Sequence, residues 1–127
     1  MGQQQLLLIV LGVIVVGIAV VVGINLFNAN SISSAKDGII SDLNNLGSMA
    51  QLYYKKPTAM GGGGNTFTSW TIPTKLATTP NATYVLTTGA QTITIVGTGF
   101  MKGNSGSTIV GTGTTTADSI GAKITTQ

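Results

Sequence analysis

Side chains able to do acid–base, nucleophilic or metal chemistry are scarce in these 127 residues. There are three aspartates, Asp37, Asp42 and Asp118, and six lysines, Lys36, Lys55, Lys56, Lys75, Lys102 and Lys123, with no Cys, His, Glu or Arg. Nucleophilic triads, zinc sites and paired-carboxylate sites need residue types that are missing, and Asp118 is far in sequence from the other two carboxylates. The composition therefore argues against an enzyme, a metal centre and a bound cofactor. The net charge of +3 comes from dispersed lysines without a basic patch, which argues against nucleic acid as a partner. Tyr53-Tyr54-Lys55-Lys56 is the one corner that mixes aromatic rings with cations, and a helix end whose lysines complement the macrodipole accounts for it. Gly61 to Gly64 lack the following Lys-Ser or Lys-Thr of a phosphate-cradling loop, so they read as a flexible turn or linker. Asn81-Ala82-Thr83 is a formal N-glycosylation acceptor, and Thr114-Thr115-Thr116 is a weaker candidate for O-linked sugar. A chain without thiols fits any redox compartment, while the Thr, Ser, Asn and Gly of the second half suit an extracellular surface.

The elements that carry these residues begin with an apolar run. Leu6 to Ile24 contain no charge, proline or hydrogen-bonding side chain. At about 1.5 Å per residue, a helix of this length spans roughly 28 Å, close to the hydrocarbon thickness of a bilayer. The fifteen Leu, Ile and Val residues favour insertion by about 0.3 to 0.6 kcal/mol each, outweighing Gly12, Gly17 and Gly23. A cleaved secretory signal fits poorly, because Met1-Gly2-Gln3-Gln4-Gln5 carries no cation and the run is long for such a peptide.

Beyond the run, Ile32, Ala35, Ile39, Leu43, Leu46, Ala50 and Tyr53 recur at spacings of three and four among polar neighbours. That pattern places one apolar stripe on a continuing helix, read from about Gln4 to Tyr54 and about 75 Å long, with Asn25, Asn28, Asn30 and Ser31 at the junction. Pro57 ends it. Five stretches then read as strands: Thr66 to Ile72, Thr83 to Thr88, Gln91 to Gly97, Ser107 to Thr112 and Ala122 to Thr126. The expected fold class is α+β, with a long N-terminal helix, apolar in its first half and amphipathic in its second, packed on a small antiparallel sheet and projecting beyond it. The expected divisions are a helix over 1–54 with its apolar segment at about 6–24, a Gly-rich loop over 55–65 and a β domain over 66–127. Trp70, Tyr84, Leu86, Ile93, Ile95 and Ile109 are the expected sheet core.

An uninterrupted N-terminal apolar helix extended by an amphipathic half and followed by a small antiparallel sheet resembles the type IV pilins and pseudopilins. The stretch Ile40-Ser41-Asp42-Leu43-Asn44-Asn45-Leu46-Gly47-Ser48-Met49-Ala50-Gln51-Leu52-Tyr53-Tyr54 looks like the end of a pilin's long helix running into a Gly-rich loop. The resemblance covers roughly the first sixty residues; the sheet matches in general plan. It implies a structural subunit of an extracellular pilus-like filament, held in the inner or plasma membrane before pilus assembly machinery polymerises it. Two departures concern processing. Pilins usually carry a basic leader cut after a Gly and a Glu at the fifth mature position. Cutting after Gly2 would put Leu7 there, and a chain already mature at Met1 would put Gln5 there. A neutral residue forgoes an ion pair but avoids the cost of burying a carboxylate.

The apolar run has texture that suits such a partner, namely further copies of this chain in a helical filament. On a wheel of 100° per residue Gly12, Ala19 and Gly23 fall within about 40° of one another, and small residues let helix backbones approach. With Leu6, Leu11 and Ile18 they are the expected filament-core packing positions, although Gly is also common in plain membrane spans. Lys36, Asp37 and Asp42 are the expected rim charges of lateral contacts. The alternative is a single-pass membrane-anchored small β binding module, which explains the apolar run but leaves the long amphipathic helix unassigned.

Overall fold

The computed structural model describes residues 2–126, which form two compact units, one up to Ser33 and one from Ser34 onward. The first unit is helix alone. It is the opening part of α1 (Gly2–Lys55), 54 residues without a break, including the junction asparagines.

The second unit contains the rest of α1, a 3-10 turn (Thr58–Met60), a short α2 (Thr74–Ala77) and four strands: β1 (Ala82–Thr88), β2 (Thr92–Lys102), β3 (Thr108–Thr116) and β4 (Ile120–Thr126). The strands form one antiparallel sheet in the order β1-β2-β3-β4, each joined to the next by a short turn. The expected α+β class is therefore the observed one. Alternation makes the sheet two-faced: Ile93, Ile95, Ile109 and Thr115 point to the helix, while Thr94, Val96, Thr112 and Thr114 point away.

The amphipathic stripe covers the inner face, burying Ile39, Leu43, Leu46 and Ala50 completely or nearly so. The sheet accommodates these side chains because the facing positions are glycines. Gly97 and Gly111 are directly paired across β2 and β3, with Gly99 and Gly113 two residues further along their strands. A Cβ on Gly111 would lie 2.6 Å from Ile39 Cγ2 and 3.1 Å from Leu43 Cδ1, and one on Gly99 would lie 3.0 Å from Ile39 Cδ1. Glycine there trades strand propensity for a floor into which isoleucine and leucine sink. On the helix, Gly47 does the same for Thr115 and Ile120.

Two expectations are corrected. Thr66 to Ile72 is not a strand: it is irregular chain that inserts Phe67 and Trp70 into the core, with the Phe67 N–H bonded to Ala90 O at 3.1 Å. Of the expected turn or linker, Gly61 to Gly64 are the turn, and in place of a linker they form the cap of α1. The Gly63, Asn65 and Gly64 N–H groups donate to Tyr53, Tyr54 and Lys56 carbonyls at 2.8, 2.8 and 3.0 Å. They satisfy helix-end acceptors, of which, among the described residues, only the Tyr53 carbonyl has another donor, the Lys56 N–H at 3.3 Å. The return needs positive φ at Gly61, Gly64 and Asn65, and side chains at Gly62 and Gly63 would run into the Lys56 and Thr66 carbonyls. Of the expected sheet core, Trp70, Tyr84, Ile93, Ile95 and Ile109 are buried and Leu86 is half-buried. Phe67 joins them.

Candidate membrane and assembly segment

Within the first unit every Leu, Ile and Val from Leu6 to Ile24 is between 51 % and 69 % exposed, a level set by helical neighbours alone. The segment is long and apolar enough to cross a membrane, with a mean hydropathy of 3.3 over its best window. Even at about 1 kcal/mol each, fifteen half-exposed aliphatic side chains represent roughly 15 kcal/mol of apolar surface in water, as much as the whole stability of an ordinary domain. A surface of this kind is covered by lipid or by protein.

The sequence-inferred packing positions Gly12, Ala19, Gly23, Leu6, Leu11 and Ile18 all lie on this helix and are exposed. At 100° per residue, Gly12, Ala19 and Gly23 occupy one side, while Leu11 with Ile18, and Leu6, face the other two. A Cβ on Gly12, Gly17 or Gly23 would meet nothing within 4 Å. The contrast with the second unit is informative. There, Gly47, Gly97, Gly99 and Gly111 have intramolecular neighbours that require their smallness; the three glycines of the apolar run have none. Gly2 and Gln3, which flank the inferred cut, are helical, and Met1 lies outside the described residues.

The polar side chains of the second unit gather around Asp42. Its Oδ2 accepts three hydrogen bonds, from Tyr84 Oη at 2.7 Å, Thr79 Oγ1 at 2.8 Å and Asn81 Nδ2 at 3.0 Å. Partial burial raises the Asp42 carboxyl, but the three donors outweigh it and hold the group below its usual range. Burial, and then the carboxylate beside it, push the Tyr84 hydroxyl above the ordinary phenol range. The pair thus stays as anionic acceptor and neutral donor, and neither member is poised to exchange a proton near neutrality. The adjoining depression, lined by Asp42, Asn45, Leu46, Leu76 and Thr79, has a volume of about 10 Å³, room for a water molecule at most. Among the described residues no three carboxylate, imidazole or thiol groups lie together as metal ligands.

This arrangement is a clasp that ties the Thr79–Tyr84 segment to the helix. Asp42, expected as a rim charge, spends one oxygen inside the fold. Asn81 is half-buried, and the nitrogen to which an N-linked glycan would be attached is the one bonded to Asp42. In the Thr114-Thr115-Thr116 stretch, Thr115 is buried, Thr116 Oγ1 pairs with Ser119 Oγ at 2.8 Å, and Thr114 is exposed. Sequence reasoning missed the clasp and the glycine floor. The floor had a legible signal in the alternate glycines Gly97 with Gly99 and Gly111 with Gly113; the clasp, spread over 42 residues of separation, had none.

Comparison with protein-family models, with curated proteins and with solved structures finds no match. The long N-terminal apolar helix whose amphipathic continuation packs on a small antiparallel sheet fits a pilin-like architecture by its own geometry.

Proposed function

We propose that this chain is a structural subunit of an extracellular, type IV pilus-like filament. Before assembly the apolar helix spans the inner or plasma membrane. Pilus assembly machinery then stacks copies into a helical polymer in which apolar helices replace lipid around one another. The contact is heterologous and does not close, which generates a fibre. The observation that carries the reading is the fully uncovered Leu6–Ile24 helix, whose three glycines have no neighbour in their own chain. No enzyme activity, cofactor or nucleic acid enters this role.

Electron microscopy of material sheared from cells expressing the chain, with mass spectrometry of the fibre's N-terminus, tests it. Fibres containing the chain support the proposal, and a first residue of Gln3 or Met1 fixes the processing register. Ala19→Leu, which adds bulk to the small-residue side, should reduce fibre yield more than neutralising Lys36 and Asp37. Recovery only of dispersed, detergent-soluble monomer from the membrane fraction would instead favour the membrane-anchored β module.

A further inference from the structure

The apolar segment is bounded at both ends by amides. Gln3, Gln4 and Gln5 are consecutive, so at 100° per residue their side chains leave the helix on three different sides. Asn25, Asn28 and Asn30 likewise point in three directions at the other end. Between the two collars nineteen residues offer no side-chain hydrogen bond, and no charged side chain occurs before Lys36. All six amides are exposed, and no side-chain hydrogen bond to them is recorded among the described residues, so nothing within the unit explains their placement. From Gln5 to Asn25 the helix rises about 30 Å, and from Gln4 to Asn28 about 36 Å.

Resting on the filament reading, we infer that the two collars set the axial register of the polymer: the glutamine collar of one copy seats against the asparagine collar of a second copy displaced by about 30 to 36 Å along the helix axis. In a dry bundle of helices an amide must find another hydrogen-bonding group. Between parallel copies two kinds of displacement set collar against collar. At zero displacement glutamine meets glutamine and asparagine meets asparagine, which builds a closed ring of level subunits and no fibre. At a displacement equal to the collar separation, glutamine meets asparagine, and each copy is left with one free collar at either end to continue the chain. Intermediate displacements set the glutamines against leucine, isoleucine and valine. The partner is thus a second copy, and the recognition is amide to amide. Before assembly the same spacing places the collars at the two faces of a bilayer, where water and headgroups satisfy them.

The chain has no cysteine of its own, so engineered thiols report without background. Fibres assembled from the full chain carrying Gln5→Cys and Asn28→Cys together should give a ladder of disulfide-linked dimers and higher species on mild oxidation. The ladder should be lost in either single variant and in the control pair Gln5→Cys with Val16→Cys. A helical reconstruction of wild-type fibres reads the same contact without any substitution: Gln3–Gln5 of one copy should lie within hydrogen-bonding reach of Asn25–Asn30 of a neighbour. Cross-linking of Gln5→Cys alone, or of the Val16 control pair in place of the Asn28 pair, would overturn the inference. So would a reconstruction with the glutamines packed on aliphatic side chains, even when fibres form normally. Absence of wild-type fibres would refute the filament reading itself, an outcome distinct from fibres in another register.

Discussion

Substitution of Gly111 by alanine isolates the contact on which the helix–sheet packing depends. The added Cβ would stand 2.6 Å from Ile39 Cγ2. This is about 1 Å inside the favourable carbon–carbon separation of roughly 3.5 to 4 Å. Gly111 lies in the centre of β3 and Ile39 is fully buried, so neither backbone nor side chain can yield without disturbing Leu43, whose Cδ1 is the next atom at 3.1 Å. Overpacking of this kind costs about 1 to 3 kcal/mol, and alanine's better strand entropy returns about 0.5 to 1 kcal/mol. The net loss should be up to about 2.5 kcal/mol and centred near about 1 kcal/mol, a fall in melting temperature of about 4 to 8 °C at that centre for a unit of this size. Trp70, the single tryptophan and nearly buried, reports unfolding of the full chain in detergent by fluorescence. Truncation of Ile39 to alanine removes the clashing atom, so in a double-mutant cycle the pair Ile39→Ala with Gly111→Ala should be less destabilised than the sum of the singles, by at least about 0.5 kcal/mol. Wild-type or higher stability in Gly111→Ala, or strict additivity in the cycle, would refute the glycine-floor argument.

Three further outcomes are expected. Asp42 has a folded-state pKa below its unfolded value, so it stabilises the fold above about pH 4 and loses that contribution as pH falls through the lower, folded value. Thermal melts should therefore show a smaller acid-induced loss in Asp42→Asn than in wild type over that window, with Asp42→Asn less stable at neutral pH; equal acid slopes would count against the clasp. Gly63→Ala drives a methyl group into the Thr66 carbonyl and towards Tyr53, and should cost more than about 2 kcal/mol in urea unfolding, whereas Gly17→Ala, with open space around it, should not destabilise the chain. Replacing Ile14 and Val21 together by lysine adds about 5 to 7 kcal/mol to insertion against the roughly 4 to 8 kcal/mol that the thirteen remaining aliphatic residues supply. Carbonate extraction of membranes should then release the double variant while retaining wild type.

The sequence alone determined what depends on local periodicity and composition. A nineteen-residue run without a polar side chain dictates a helix able to span a bilayer, and the three-and-four spacing from Ile32 to Tyr53 dictates which side of its continuation is buried. β1 to β4 were legible because Thr, Ile and Val runs are bracketed by turn residues, although β2 and β3 extend further than their turn signals suggested, since ladder pairing continues past local preference. Other features were decided only by the tertiary structure. Thr66 to Ile72 has strand composition but pairs with neither edge strand of the sheet, and its aromatic residues Phe67 and Trp70 became core plugs. The four glycines became a helix cap because the chain after Pro57 turns back over the helix-end carbonyls of Tyr53, Tyr54 and Lys56. Asp42 became the hub of a clasp because packing brought Thr79, Asn81 and Tyr84 within hydrogen-bonding distance across some forty residues. Periodicity records which way a side chain points along its own element; which atoms it meets depends on how distant elements pack, and no local pattern encodes that.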